Sequence, residues 1–337
     1  MKVYGIHEVK GLDGLVLDDL PSPKPGPGAG EVRIRVRAVS LNYRDLLVVK
    51  GSYARDLPLP MIPCSDGAGE VIEVGAGVER FRVGDRVAGC FFSDWDAGEM
   101  DEAVGKTALG GAVDGMLAEE RILPSRGVVK LPDHLSFEEG ATLPCAAVTA
   151  WHGLFESGHL KSGADVLIQG TGGVSLFALQ FARMAGARVI ATSSRDDKLR
   201  RALELGASDG INYRETPEWS KPVRELTGGR GVDHVVEVGG SGTLGQSLKA
   251  VRVGGHIALI GVLTGAGEIN PTPILMRNIR VQGIYVGSRA MFEAMNRAIA
   301  RHAIRPVIDR VFPFGRAKEA YAHLESGSHF GKVVISV

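Results

Sequence analysis

The stretch that decides the fold is Val166-Leu167-Ile168-Gln169-Gly170-Thr171-Gly172-Gly173-Val174-Ser175. Its apolar half predicts a buried strand, its glycines predict a tight turn, and residues Leu176 to Ala185 predict a helix. A second apolar run, Arg188 to Thr192, begins about twenty residues after the turn. This spacing is typical of a βαβ unit that binds a dinucleotide, with the pyrophosphate at the helix N-terminus.

The turn departs from the G-x-G-x-x-G pattern at one position, because Ser175 replaces the third glycine. Serine is small enough to keep the helix close to the strand. A glycine-rich turn alone also fits an ordinary α/β domain. The strand–helix–strand context is the confirmation that the motif requires, so we interpret the stretch as a cofactor site.

A helix is predicted to stop near Leu143, before Pro144, and a second one to run from about Ala146 to Glu156. Strands and helices alternate from Asp165 to Ile260, which predicts a parallel sheet with helices on both faces, and Ile279 to Val286 predicts one more strand. Residues 1–140 instead show short strands separated by Gly, Pro and Asp, as in a barrel-like domain. The tail predicts helices at 289–302 and 315–325 and a final strand from Lys332 to Val337. We therefore expect an α/β protein with domain segments 1–146, 147–285 and 286–337, the last returning to the first.

The composition is that of an ordinary globular protein. Among 337 residues, Lys+Arg and Asp+Glu both number 39, so we expect no nucleic-acid or membrane partner. The 3 cysteines are widely spaced and form no disulfide pattern, which favours a reducing, cytoplasmic location.

Four motifs occur in the order found in one family: Pro63 to Gly69, Val83 to Val87, Ala147 to Trp151 and Gly170 to Ser175. The chain thus resembles the medium-chain dehydrogenases/reductases over essentially its whole length. The resemblance implies a GroES-like β-barrel catalytic domain with an inserted Rossmann domain. It also implies an NAD(P)-linked oxidoreductase that forms a homodimer or tetramer.

Zinc enzymes of this family hold their catalytic metal with Cys, His and Cys, and the matching positions here are Asn42, Ser65 and Cys145. An amide, a hydroxyl and one thiol fall short of the three N or S ligands that catalytic zinc needs. We therefore expect no metal. An unusual site built from Cys64, Asp66 and Cys145 is the alternative.

Without zinc ligands, the sequence resembles the quinone oxidoreductase branch, through Leu41 to Asp45 and Gly51 to Tyr53. The reaction then expected is hydride transfer from NADPH to a conjugated carbonyl: a quinone, an enone or an activated aldehyde. The developing oxyanion needs hydrogen-bond donors. Asn42 and Tyr53 are our candidates, with Tyr43 after them, although Asn42 could instead cap a helix and the tyrosines could be packed aromatics.

NADP(H) is the expected cofactor, because Ser193 stands where NAD enzymes carry an acid. Hydroxyls and the cations Arg195 and Lys198 suit a 2′-phosphate, although Asp196 and Asp197 lie close by. Several further positions come from the resemblance or from their place after sheet strands. The full cofactor set is Thr149, Gly170, Thr171, Gly172, Gly173, Val174, Ser193, Ser194, Arg195, Lys198, Tyr213, Gly239, Gly261, Val262, Leu263, Tyr285, Val286 and Lys332.

Two other functions stay open at this point. One is an NADP-linked alcohol dehydrogenase or aldehyde reductase. The other is a non-enzymatic protein that retains NADPH, as the lens crystallins of this branch do. A hydrolase is excluded, because the chain has no G-x-S-x-G motif.

Overall fold

The computed structural model describes residues 1–23, 25–53 and 56–337, which form two compact units. Unit 1 comprises Met1–Val148 and Gly287–Val337, and unit 2 comprises Thr149–Val286. Unit 2 is therefore one continuous segment inserted into unit 1.

The first part of unit 1 is mostly strand. In chain order its strands are β1 (Lys2–Ile6), β2 (Leu15–Asp19), β3 (Glu31–Leu41), β4 (Asp66–Val74), β5 (Arg86–Gly89), β6 (Glu120–Pro124) and β7 (Val128–Lys130). Its helices are α1 (Tyr43–Val49), α2 (Glu102–Gly105) and α3 (Phe137–Ala141). Strand β3 forms because its residues alternate: Val32, Ile34 and Val36 are buried, whereas Arg33 and Arg35 pair with neighbouring strands nearer the surface.

A helical run links the two units in sequence. It consists of a π-helical stretch (Leu143–Ala147), helix α4 (Val148–Trp151) and a second π-helical stretch (His152–Glu156). The sequence predicted a helix that stops at Leu143 and restarts at Ala146, and this was wrong in detail. Pro144 lies in the first turn of the new run, where a proline loses no hydrogen bond.

Unit 2 contains the alternating pattern. Its strands are β8 (Asp165–Gln169), β9 (Arg188–Ser193), β10 (Asp209–Asn212), β11 (Val232–Glu237), β12 (Val251–Leu259) and β13 (Arg280–Gly283). Its further helices are α5 (Gly173–Met184), α6 (Asp196–Glu204), α7 (Ser220–Leu226), α8 (Ser241–Ala250) and α9 (Thr272–Met276).

The strands of unit 2 pair in the order β10-β9-β8-β11-β12-β13, and every pair is parallel. This confirms the parallel sheet predicted from the alternation. The core includes Leu167, Ile190, Val235 and Ile257, one from each of four adjacent strands and each fully buried. Such apolar strands are expected where helices cover a parallel sheet.

The chain returns to unit 1 through helix α10 (Arg289–His302), strand β14 (Ile308–Pro313), helix α11 (Ala317–Glu325) and strand β15 (Lys332–Ser336). The sheet of unit 1 has the order β14-β15-β3-β4-β5-β7, and β6 also pairs with β3. Strand β15 is antiparallel to the end of β3, with Val333 opposite Leu41, which brings Lys332 next to the start of α1. No helix in the described part of the chain is long and apolar enough to cross a membrane.

Candidate active site and dinucleotide-binding edge

Most of the predicted cofactor residues share one edge of the sheet in unit 2. They follow the carboxyl ends of parallel strands, where ligand sites of such sheets form. Across the sheet the order is Tyr213, Ser193 and Ser194, Gly170 to Val174, Gly239, Gly261 to Leu263, and Tyr285 with Val286. Strand order reverses at β8, so the glycine turn lies at the topological switch point.

The glycine turn leads directly into α5. Gly170 has φ +69°, a conformation that favours glycine, and Gly172 is the N-cap of the helix. A Cβ on Gly172 would have no neighbouring atom within 4 Å among the described residues. Since glycine offers no capping side chain, this open space above the first-turn amides fits an anionic group.

Ser175 explains the missing third glycine. Its side chain is buried and its Oγ donates to the carbonyl oxygen of Gln169 at 2.6 Å. The serine therefore ties the first turn of α5 to the end of β8, so helix and strand stay close without a glycine.

Sequence reasoning missed Glu237, a fully buried carboxylate at the end of β11. Its Oε1 accepts from Gly239 N at 2.9 Å, Gly240 N at 3.0 Å and Thr243 Oγ1 at 2.5 Å. Its Oε2 accepts from Gln169 Nε2 at 2.6 Å and from Ser247 Oγ. The network ties together the ends of β8 and β11 and the start of α8. The sequence did contain a signal for Glu237, because an acidic residue at the end of an apolar strand is unusual.

Charged residues that follow β9 form ion pairs and hydrogen bonds within unit 2. Arg195 forms a bidentate pair with Asp197, at 2.8 and 2.7 Å, and both side chains are about half exposed. Asp196 accepts from Asn212 Nδ2 at 2.8 Å. Ser193 and Lys198 are buried, whereas Tyr213 is exposed.

Thr149 is buried in α4, between the two π-helical stretches. At the other end of unit 2, Val286 has φ +57°, which is strained for a β-branched residue. Its carbonyl oxygen lies 2.7 Å from His152 Nδ1. Backbone strain of this kind is common at functional sites.

Unit 1 contains the predicted catalytic residue Asn42, at the N-cap of α1. Its backbone N donates to Asp45 Oδ2 at 2.8 Å, which fixes the start of the helix. The Asn42 Nδ2 atom is buried and makes no hydrogen bond of ordinary geometry in the part of the chain that is described, and the carboxyl group near it is that of Asp66. A buried donor of this kind is the group that a ligand oxygen would satisfy.

Lys332 lies with Asn42 in unit 1. Its buried ammonium donates to Asn42 Oδ1 at 2.6 Å and to the Leu41 carbonyl oxygen at 2.7 Å. Burial raises the pKa of Asp45 to about 6, which Arg44 opposes, and raises the pKa of Asp66, which the charge of Lys332 opposes. A predicted cofactor residue and a predicted catalytic residue are thus hydrogen-bonded to each other.

The residues at the zinc-ligand positions do not fit zinc. Asn42 Oδ1 faces an ammonium group, and Ser65 Oγ donates to Asp66 Oδ1 at 2.7 Å. Cys145 offers a thiol, which zinc would deprotonate on binding, so the misfit lies in the amide and the hydroxyl at the other two positions. Among the described residues, no group of three or more His, Cys, Asp or Glu side chains could hold a metal ion.

The two tyrosines have different surroundings. The Tyr53 ring lies 4.6 Å from the guanidinium carbon of buried Arg44, and Phe91 covers that carbon at 4.8 Å. Arg44 also donates to the carbonyl oxygens of Leu109 and Gly110. Tyr43 is exposed on α1. Arg44 was missed as an organising residue, because a lone arginine carries no sequence signal.

Two buried histidines lie on adjacent strands of unit 2, His234 on β11 and His256 on β12. Burial lowers the pKa of His234 to about 4 and that of His256 to about 3. His256 Nε2 lies 2.9 Å from Ser157 Oγ. The charged and titratable groups around the pair are Asp233, Arg252, Arg280 and His159.

Comparison with known proteins agrees with this geometry. The alcohol dehydrogenase GroES-like domain profile matches residues 28–133, and the zinc-binding dehydrogenase profile matches residues 173–301. A "Zinc-type alcohol dehydrogenase-like protein" of Schizosaccharomyces pombe is 47% identical over 342 residues, which cover 99% of each chain. A "Quinone oxidoreductase" of Pongo abelii is 30% identical over 88% of this chain and 86% of its own.

Solved structures are similar over the whole chain. A Sinorhizobium meliloti 1021 protein is 44% identical with a TM-score of 0.93, covering 100% of this chain and 98% of its own. An "NAD-dependent alcohol dehydrogenase" is 36% identical with a TM-score of 0.91, and mycobacterial Rv1454c complexed with NADPH is 29% identical with a TM-score of 0.83. Each of these two alignments covers 100% of this chain and 100% of the other protein's chain.

Fold and relatives define an oxidoreductase of the alcohol dehydrogenase and quinone oxidoreductase type. The chain belongs to the medium-chain dehydrogenase/reductase superfamily, as its ordered motifs predicted.

Proposed function

We propose that this protein is an NADPH-dependent oxidoreductase that transfers hydride to a quinone, an enone or an activated aldehyde without catalytic zinc. The observation that best supports binding of a dinucleotide cofactor is the N-terminus of α5, which is open, has no capping side chain and lies at the switch point of the sheet. When bound, NADPH supplies the hydride, and the protein supplies binding and orientation.

Residues after β9 support NADPH over NADH. Ser193 ends the strand where an acid would repel a 2′-phosphate. Among the described residues, the Arg195 guanidinium is paired with Asp197 in an exposed ion pair, which water and salt screen. A 2′-phosphate offers the guanidinium a stronger, doubly charged acceptor. The relatives support a nicotinamide cofactor of either kind, since one solved structure is named NAD-dependent and another contains NADPH.

The cluster around Asn42 supports carbonyl reduction without zinc. Asn42 Nδ2 is a buried donor that makes no hydrogen bond of ordinary geometry among the described residues, where Asp66 is the carboxyl group near it. A carbonyl oxygen that gains charge would be an acceptor for this donor. The Asn42 amide oxygen faces an ammonium group and the Ser65 hydroxyl donates to a carboxyl group, so two of the three zinc-ligand positions hold poor zinc ligands. The relative from Pongo abelii carries the name quinone oxidoreductase.

The test uses Gly172→Ala. Because a Cβ there meets no protein atom within 4 Å, the variant should fold with unchanged thermal stability. We expect it to lose at least about tenfold in NADPH affinity by calorimetry, because the methyl group occupies the space proposed for the pyrophosphate. Wild type should bind NADPH more tightly than NADH and should reduce at least one quinone, enone or aldehyde.

Three results would contradict the proposal. Equal NADPH affinity in wild type and Gly172→Ala would show that the glycine turn does not bind the pyrophosphate. A clear NADH preference would overturn the assignment of Ser193, Arg195 and Lys198. NADP-linked alcohol oxidation that a chelator abolishes would favour the zinc-type reading instead.

A further inference from the structure

We propose that Lys332 is a positioning residue that holds Asn42 as the hydrogen-bond donor to the substrate carbonyl. The inference rests on the proposed function, which makes Asn42 the donor. It assigns to Lys332 a role in unit 1 that differs from the cofactor contact implied by the family resemblance.

The first step of the argument is the chemistry of the two groups. An asparagine side chain has one acceptor end and one donor end, whereas an ammonium group only donates. Lys332 Nζ lies 2.6 Å from one end of the Asn42 amide. A flipped amide would place donor against donor, so the lysine forces Oδ1 toward itself and directs Nδ2 the other way.

The second step is the rigidity of Lys332. Its ammonium also donates to the Leu41 carbonyl oxygen at 2.7 Å, on the residue before Asn42. The side chain is buried and β15 is paired with β3 through Val333 and Leu41. Two acceptors on adjacent residues therefore fix the ammonium relative to the very backbone that carries Asn42.

The third step is the state of the other end of the amide. Asn42 Nδ2 is buried and makes no hydrogen bond of ordinary geometry among the described residues, and the carboxyl group near it is that of Asp66, whose pKa the amide helps to lower. Leaving a buried donor unpaired costs about 1–3 kcal/mol, so its orientation must be imposed by a stronger interaction at Oδ1. The charge-assisted bond from Lys332 is that interaction.

The test is a double-mutant cycle with Asn42→Ala and Lys332→Met. We expect each single variant to lower kcat at saturating NADPH, Asn42→Ala by about 100-fold and Lys332→Met by about 10- to 100-fold. Since Lys332 acts through Asn42, Lys332→Met should cost nothing further in the Asn42→Ala background. The affinity for NADPH should change less than about threefold in all variants.

Lys332→Arg is a second perturbing variant, and Lys50→Ala is the control. Lys332→Arg keeps a buried cation and should fold even if Lys332→Met does not, so the same cycle can be run with it. Lys50 forms an exposed ion pair with Glu325 in the same unit, and Lys50→Ala should leave kcat unchanged. Additive losses in the cycle, or a loss of NADPH affinity with kcat intact, would overturn the inference in favour of a cofactor contact.

A second readout needs no substrate. In protein labelled with 15N-asparagine, the side-chain amide of Asn42, assigned with Asn42→Ala, should be protected from solvent exchange in wild type. It should exchange at least about tenfold faster in Lys332→Met or Lys332→Arg. If the exchange rate of the Asn42 amide is the same in wild type and the Lys332 variants, the inference is wrong, whatever the protein reduces. If the exchange rate rises in the variants but the wild-type protein has no reductase activity, only the proposed function is wrong.

Discussion

Glu237→Gln should destabilise unit 2, because the carboxylate of Glu237 accepts five hydrogen bonds inside the protein. Glutamine has the same shape but turns one acceptor oxygen into a donor. If its NH2 group replaces Oε1, it faces two backbone N–H groups that cannot reorient, those of Gly239 and Gly240.

The cheaper orientation places the NH2 group at the Oε2 position. Ser247 Oγ can rotate to accept, but Gln169 Nε2 would then face another donor. Gln169 cannot flip freely, because its Oε1 accepts from Val238 N and Gly239 N at 3.3 Å each. A buried donor deprived of its acceptor costs about 1–3 kcal/mol, so we expect a loss of about 2 kcal/mol in the free energy of unfolding.

The measurement is urea unfolding followed by tryptophan fluorescence in a Trp95→Phe background. The other two of the 3 tryptophans, Trp151 and Trp219, both belong to unit 2 and report its unfolding. Glu218→Gln is the matched control, because Glu218 is an exposed partner of Lys221 in the same unit and its loss should leave the urea midpoint unchanged. If Glu237→Gln unfolds at the same urea concentration as Glu218→Gln, the reasoning about the buried network is refuted.

Two further predictions concern pH and assembly. The lowered pKa values of His234 and His256 mean that the folded protein prefers neutral rings, so this stability is complete above the ordinary histidine pKa of 6.5 and is lost as pH falls toward 4. His256→Gln should therefore reduce the loss of unfolding free energy between about pH 7 and pH 4.5 by about 2 kcal/mol, and an unchanged loss would show that the pair does not titrate on unfolding. We also propose a homodimer, because β13 is one of the two edge strands of the sheet in unit 2 and the nearby Leu275 and Met276 are about three-quarters exposed. Light scattering should then give a mass of twice 35.7 kDa for wild type and 35.7 kDa for Gly283→Pro, because the proline removes an N–H group that the edge strand would offer to its partner. If Gly283→Pro is still a dimer, this edge is not the dimer interface.

Local patterns predicted the fold of unit 2 well. The apolar run of β8, the glycine turn and the helix after it each carry their own signal within a few residues. The alternation that follows limits the topology to a parallel sheet with helices on its faces. The boundaries moved by only a few residues, since helix ends depend on capping contacts that the pattern does not show.

Elements without a periodic signal were missed. Strand β2 is mostly exposed and ends in two aspartates, so it lacks the alternation that marks a half-buried strand. The strand predicted over Ile279 to Val286 has only four residues in the structure, because the chain leaves the sheet before Ile284 and Val286 adopts a positive φ. Such a conformation for valine depends on tertiary context and has no sequence signature.

The sequence predicted which residues belong to the candidate site but not the hydrogen bonds between them. Asn42 and Lys332 were both named, one as a donor and one as a cofactor contact, yet they are 290 positions apart in sequence. Only the pairing of β15 with β3 brings them together. The ring stack on Arg44 is equally non-local, and so is the hydrogen bond that Gln169 donates to Glu237. The other donors to Glu237 lie within ten residues of it, and an acid at the end of an apolar strand was a signal in the sequence.

The charges around Asn42 bear on how this site would work without a metal. Asp45 and Asp66 are fully buried carboxyl groups, and the buried cations Arg44 and Lys332 are close enough to oppose the effect of burial on them. Arg44 forms a buried ion pair with Asp45 at 3.6 Å, and breaking such a pair by removing one partner typically costs about 3–5 kcal/mol. Lys332 is held by its hydrogen bonds to Asn42 and to the residue before it. A zinc ion would add two positive charges to a cluster that is already balanced. Under the proposed function, the lysine would instead supply its charge through the amide of Asn42, so we expect reduction at this site to depend on that donor and not on a Lewis acid.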